Sequence, residues 1–397
     1  ELRRVPAEAV LSPVAPMTPA LTSEQVCETG LFIAHLQGDD GALPWFVGGQ
    51  WDAWNHTEAL MGLTIAAHVS RETGSPRVNH TAEQLSERAR LGLQHLRETQ
   101  REDGSWPMHV RDGVVEQDES DTNQCAYPAV GVWHLALVTG AGRGDGPDRG
   151  ILAENWPMVR AAIRHVLTAQ RDDGTIAWAI NRRGGLGDHA LLTGNASILQ
   201  SLWAAAAIAD TLGHIDDAAS WRESGARLAA AVRQVELFAD RRRFSMDWFY
   251  PVLGGALVGD HAATHLRRDW DRFVIEGQGV RCVDDRPWVT GGESAELVMA
   301  LCCLDGSPHE DRARRDARAV FADLQHTRDT SGGYWTGYVV DDDAVWPVEQ
   351  TGWSAGAMLL AADTLDGLTP AANFFHAMTW PARTPSHSAV RDHEEPR

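Results

Sequence analysis

Six acidic residues stand in short aromatic or glycine-rich segments just ahead of apolar helical runs: Asp52, Asp121, Asp188, Asp247, Glu293 and Glu349. Their contexts, WDAWNHTEA, ESDTNQCAY, GDHALLTGN, SMDWFYP, TGGESAEL and WPVEQTGW, pair each acid with aromatic or amide neighbours. Glycosidic cleavage asks for this inventory. One protonated carboxyl donates to the leaving oxygen, a second carboxylate activates water or attacks, and further polar groups hold hydroxyls. Each acid could equally act as an N-cap or first-turn carboxylate for free helix N–H groups. Ser or Thr would cap as well without bringing Trp and Tyr along, so capping alone does not account for all six.

Sixteen Trp against four Tyr and nine Phe is a heavy Trp load. A sugar ring has apolar C–H faces and polar edges, so flat aromatics interleaved with carboxylates are complementary to it. The expected substrate-binding residues are Trp45, Trp51, Trp54, Trp106, Trp248, Trp288, Trp335 and Trp346, with Tyr250 and Tyr334. Seam packing between helices is the competing role for about half of the tryptophans. Asn55 follows Asp52 by one helical turn, so both side chains can address one substrate group. An amide there donates and accepts without repelling Asp52. Asp121, Asn123, His56 and His189 complete the polar set. Neither histidine belongs to an H-E-x-x-H or comparable pattern, and no metal or cofactor is expected.

Apolar residues at helical spacing predict twelve helices, near 22–36, 53–70, 80–100, 122–138, 156–170, 189–212, 216–235, 249–258, 260–274, 292–304, 309–327 and 350–366. The even members, such as SILQSLWAAAAIA and WSAGAMLLAA, are apolar and small-residue-rich; the odd ones carry charge on one face, as in AEQLSERARLGLQHLRE. Even helices are therefore expected inside and odd ones outside. The odd helices also end alike, in LQGDDGALPW (36–45), TQREDGSWPM (99–108), AQRDDGTIAW (169–178) and LQHTRDTSGGYW (324–335). A Gln closes the helix, a tight turn follows, and an aromatic comes soon after. Six such hairpins make an all-α (α/α)6 toroid. The segments RFSMDWFYP and GGYWTGYVV are expected to add short strands or hairpins near its mouth. The six acids fall ahead of the inner helices, so one end of the ring gathers them.

The chain of 397 residues reads as a single domain over 21–370, with an N-terminal arm at 1–20 and a Pro- and His-rich tail at 371–397. No apolar run approaches the length needed to span a bilayer, and no signal-peptide pattern opens the sequence. The net charge is −20 and Arg supplies every side-chain basic charge, which disfavours nucleic acid and anionic membrane as partners. A homo-oligomer is compatible with this composition. Five cysteines without a C-x-x-C pair suggest reduced thiols in a cytoplasmic protein. P-loop, G-x-S-x-G and dinucleotide-binding patterns do not occur.

QREDGSW and QRDDGTIAW resemble the Q-W turns of terpene cyclase and prenyltransferase toroids. That likeness concerns fold, because the Asp-x-Asp-Asp motif of the cyclases and the Asp, Cys and His zinc set of the prenyltransferases have no match here. Over WFVGGQWDAWNH, RFSMDWFYPVLGG, RCVDDRPWVTGGE and YWTGYVVDDDAVWPVEQTGW the chain is more similar to actinobacterial (α/α)6 proteins labelled prenyltransferase-like, a group with hydrolases of methylmannose polysaccharide. That resemblance implies an inverting endo-α-mannosidase cleaving internal α-1,4 bonds of a methylated mannose polysaccharide. By position in such toroids it implies Asp188 as general acid and Glu349 as general base, with Asp52, Asp247 and Glu293 as competitors. A terpene-handling toroid and a non-catalytic carbohydrate-binding toroid are the alternatives.

Overall fold

The computed structural model describes residues 18–73, 76–140, 146–376, 378 and 380, with backbone alone for 76–80. Most of the expected arm and tail therefore lies outside the described residues, as do 141–145 of the Gly-rich loop at 142–150. Fourteen helices are found among the described residues: α1 Ser23–Leu36, α2 Ala53–Glu72, α3 Pro76–Thr99, α4 Thr122–Ala126, α5 Pro128–Gly140, α6 Arg149–Leu167, α7 Leu192–Leu212, α8 Ile215–Val232, α9 Ser245–Leu253, α10 Gly259–Arg268, α11 Trp270–Phe273, α12 Gly291–Cys302, α13 Glu310–Asp323 and α14 Gly352–Asp366.

Six of them close a ring. Helix α2 packs on α5, α5 on α7, α7 on α9, α9 on α12, α12 on α14, and α14 returns to α2. Helices α1, α3, α6, α8, α10 and α13 stand outside, packed against this ring. The inner helices α12 and α14 bury all or nearly all of their residues, as a helix with neighbours on all sides must. In α13 the apolar stripe is Ala313, Ala317, Val320 and Phe321, with arginines and acids elsewhere. The (α/α)6 architecture is thus the one expected, with the even members of the twelve expected helices inside.

The repeated turns are the seams between hairpins. Gln37, Gln100 and Gln170 each donate from Nε2 to a glycine carbonyl four residues on, at 3.0, 3.0 and 3.2 Å. The same Nε2 groups donate to a carbonyl of the next outer helix, at Arg88, Met158 and Ser224. Gly41, Gly104, Gly174 and Gly332 have φ between 85° and 92°, where a side chain is strained. A Cβ on them would strike the backbone of Leu91, Ala161, Arg227 and Glu28 respectively. The last contact joins the turn after α13 to α1, which closes the outer ring.

Several helix boundaries differ from expectation: the helix expected at 156–170 begins at Arg149, and the one expected at 260–274 is two, α10 and α11. The run expected at 122–138 is two helices, since Pro128 lacks an N–H and opens α5 as its first residue. The helix expected at 249–258 begins at Ser245, so RFSMDWFYP is largely helix and Asp247 sits inside a first turn. Strands are short: β1 His109–Arg111 with β2 Val114–Gln117, β3 Ser120–Asp121 with β4 Ala179–Ile180, β5 Val274–Ile275 with β6 Gly279–Val280, and β7 Trp288–Thr290 with β8 Gly337–Val339 and β9 Ala344–Val345. All pairings are antiparallel. The last sheet falls in the GGYWTGYVV segment, as expected. Among the described residues no helix is long and apolar enough to cross a membrane.

Candidate active site

The N-terminal parts of four inner helices, α2, α7, α9 and α14, and the short helix α4 converge on two adjoining cavities of ≈ 170 Å³ and ≈ 210 Å³. Asp121, Asn123, Thr193 and Met246 line both. Trp178, Arg241 and Asp247 complete the first, and Trp45, Trp54, Asn55, Gln124, Tyr250 and Trp353 the second. The buried amide oxygens of Asn55, Asn123 and Gln124 have no protein partner among the described residues. Buried acceptors cost stability unless something donates to them, and sugar hydroxyls are suitable donors.

Asp52 is the N-cap of α2 and is fully buried. Its Oδ1 accepts from the backbone N–H of Trp54 and of Asn55, both at 2.9 Å. Its Oδ2 accepts from Trp45 Nε1 at 2.6 Å and Asn55 Nδ2 at 2.8 Å. Burial raises its pKa, and these donors oppose the rise without cancelling it. Four donors around one carboxylate suit the ionised form, which only accepts.

Asp121 caps α4, accepting from Gln124 N–H at 3.0 Å. Burial drives its pKa up to about 6, against the N–H groups of Gln124 and Asn123, and the negative charge of Asp52 adds to the rise. Asp247 accepts from the Thr193 hydroxyl at 2.5 Å and the Thr193 N–H at 3.2 Å. Burial raises it as well, opposed by those bonds and by Arg241. Two carboxyls with raised pKa, one capping α4 and one in α9, therefore border one cavity, and Asp52, also raised by burial, is pinned nearby by its donors. Glu293 lies buried in the first turn of α12, against Thr290 and the Cys282 thiol, and burial raises it too.

The ring interior holds two acids that the sequence reading did not single out. Tyr127 donates to Glu58 Oε2 at 2.6 Å, and Tyr250 donates to Glu296 Oε1 at 2.5 Å. Burial lifts Glu58 to about 7 and Glu296 well above the carboxylate range, with Glu58 adding to the latter. Tyr127 stacks on Trp54 with centroids 4.7 Å apart, and Trp54 meets Trp353 edge-on. These acids hold the aromatics that line the cavity. A glutamate in the middle of a small, apolar inner helix, as in WNHTEAL and ESAEL, was the available signal.

Other expected residues sit elsewhere. Asp188 and His189 are exposed, four and three residues ahead of α7, and neither borders the cavities. Glu349 is half-buried in the segment before α14, raised by burial alone, and is not among the lining residues. His56 is fully buried, accepting at Nδ1 from Leu43 N–H and Trp51 Nε1 with Nε2 on the Gly92 carbonyl, and burial lowers it to about 3. It ties the loop before α2 to α3. Trp106 is buried with its Nε1 on the Leu96 carbonyl, a seam contact. Trp248 stacks on Phe273 and bonds the His265 carbonyl. Tyr334 is buried against Gln325, Trp335 is half-buried, and Trp288 pairs edge-on with the exposed Trp346. Trp51 faces a separate groove. Among the described residues no group of His, Cys, Asp and Glu is arranged to hold a metal ion.

The chain is 44% identical, over 91% of its own length and 91% of the relative's, to the MMP endo-(1,4)-3-O-methyl-α-D-mannosidase of Mycolicibacterium hassiacum. Its fold is similar to that of a glycosidase at 17% identity, covering 88% of this chain and 97% of the other with a TM-score of 0.57. A D-mannose isomerase is similar in fold at 11% identity, covering 85% and 95% of the two chains with a TM-score of 0.56. No family model matches the sequence.

Proposed function

The chain belongs to the family of the MMP endo-(1,4)-3-O-methyl-α-D-mannosidase and is a glycoside hydrolase, and from that premise we propose that it cleaves internal α-1,4 bonds of a 3-O-methylated mannose polysaccharide in the cavity bordered by Asp121 and Asp247. The observation that carries this reading is the joint lining of one cavity by two desolvated carboxyls on separate helices.

In this reading Asp121 is the general acid. Burial and the anion at Asp52 raise its pKa to about 6, so it still holds a proton in mildly acidic solution, and that proton passes to the leaving glycosidic oxygen. Asp247, oriented by the two Thr193 donors, is the general base that takes a proton from the attacking water. Water adds to the anomeric carbon as the bond to the leaving oxygen breaks, so the anomeric configuration inverts. The open volume of ≈ 170 Å³ that both carboxyls border has room for that water, whose share of liquid volume is about 30 Å³. Trp45, Trp54 and Trp353 offer flat apolar faces to the methylated sugars, and the amides of Asn55, Asn123 and Gln124 take hydroxyls.

The closed ring supports 21–370 as one catalytic domain. The five free cysteines support a reducing, cytoplasmic setting. Mass analysis of products from a panel of α-mannosides, glucans and 3-O-methylated α-1,4-mannooligosaccharides tests the function. Shorter methylated fragments, cut from the interior and released as the inverted anomer by early NMR, are expected. Cleavage of glucans in preference to the methylated mannosides would overturn it.

A further inference from the structure

A large open groove near the mouth lies outside the catalytic cavities. A groove of ≈ 670 Å³ runs between the C-terminal ends of α1 and α3 and the β1–β2 hairpin. Its walls are Leu36, Pro44, Val47, Trp51, Val110 and Val115. Val47 is 69% and Val115 44% exposed, an unusual placement of β-branched apolar side chains.

The groove and the catalytic cavity share one wall, the loop 44–51. Trp45 lines the cavity, while Pro44, Val47, Gly48, Gly49 and Trp51 line the groove. The loop is fixed by the Trp45 N–H to Gln50 carbonyl bond at 2.8 Å and by the paired backbone bonds between Trp51 and Val110. His109 packs edge-on against Trp45. A polymer leaving the catalytic cavity past Trp45 therefore meets the groove within one loop's width.

We propose that this groove is a distal subsite for O-methylated sugar units of the polymer. The inference rests on the function proposed above. Cleavage inside a chain requires the substrate to continue beyond the scissile bond, and binding energy from remote units is what distinguishes a long substrate from a short one. Hydroxyl-rich sugars gain little from a valine-lined wall. Each methoxy group instead presents a methyl that loses water on contact with Val47, Val110 or Val115.

The test is steady-state kinetics of the full chain carrying Val47→Ser together with Val115→Ser, on 3-O-methylated α-1,4-mannooligosaccharides of increasing length and their unmethylated counterparts. Both valines face solvent, and a thermal melt checks that the fold is kept. KM for the long methylated chains is expected to rise about tenfold at unchanged kcat, as loss of a few methyl contacts implies. The shortest cleaved methylated substrate and the unmethylated series keep their KM. An equal change at every length, or none, overturns the subsite while leaving the function intact. A change in sedimentation in place of KM assigns the groove to self-association and also overturns it. A wild-type chain that cleaves no methylated mannoside refutes the function and the subsite together.

Discussion

Asn55 grips Asp52 from both ends: its backbone N–H donates to Oδ1 at 2.9 Å and its side-chain Nδ2 to Oδ2 at 2.8 Å. The amide oxygen left over is buried and lines the cavity without a protein partner. One side chain thus fixes an anion and offers an acceptor to substrate, which a carboxylate at the same position could not do.

Replacing Asn55 by Asp removes a donor and sets a like charge beside Asp52. One of the two must then hold a proton. Turnover is expected to fall by at least about tenfold, in line with a charge-assisted bond of about 1.5–3 kcal/mol. Asn55→Ser, which keeps a donor and adds no charge, should lose less. Comparing kcat for the two variants checks the claim.

The pH profile should follow Asp121. A general acid with pKa about 6 is protonated below that value, so kcat/KM declines as pH rises through about 6. The charge of Asp52 raises this pKa, so Asp52→Asn should move the alkaline limb to lower pH. A limb that stays put, or moves upward, would show that Asp52 does not set the acid.

Glu58 ties stability to pH. Its folded pKa of about 7 lies above the usual carboxylate value of 4.5, so the folded state binds the proton more tightly. Stability from this group is full below pH 4.5 and declines as pH rises towards 7. Glu58→Gln keeps an acceptor for Tyr127 and cannot ionise. Its stability should gain on wild type between pH 4.5 and 8, by an amount on the order of 3 kcal/mol at most, read as a rising difference in melting temperature.

The seam glycines predict a purely structural effect. Gly104→Ala puts a Cβ 2.3 Å from the Ala161 carbonyl oxygen at φ +87°. Destabilisation of more than about 1 kcal/mol is expected. Gly113 also has positive φ, at 74°, but nothing lies within 4 Å of its Cβ position. Thermal melts of the two alanine variants separate steric clash from backbone strain.

The ring was readable in the chain because inner helices are apolar all round and outer ones on one face, and because the Gln and Gly of each turn recur. The convergence of Asp52, Asn55, Asp121, Asn123, Asp247 and Tyr250 followed from the same topology. Sequence spacing could not tell a cavity tryptophan from a seam one. Trp45, Trp106 and Trp178 follow equivalent turns, yet Trp106 packs inward on Leu96 while the other two face the cavities. Asp188 misled for a related reason. Its segment opens outward through the tight turn at Asn181–Gly185, a bend that depends on local backbone bonds and not on hydropathy. Glu58 and Glu296 sit mid-helix, away from the loops where aromatic and glycine neighbours mark an acid.

The central claim is that the cavity bordered by Asp121 and Asp247 is where the bond is cut. The most direct measurement is kcat of Asp121→Asn on a 3-O-methylated α-1,4-mannooligosaccharide, beside Asp188→Asn. A loss of about 10²–10⁴-fold for Asp121→Asn, with Asp188→Asn close to wild type, is the predicted result. Near-normal turnover by Asp121→Asn, with activity lost in Asp188→Asn, would contradict it.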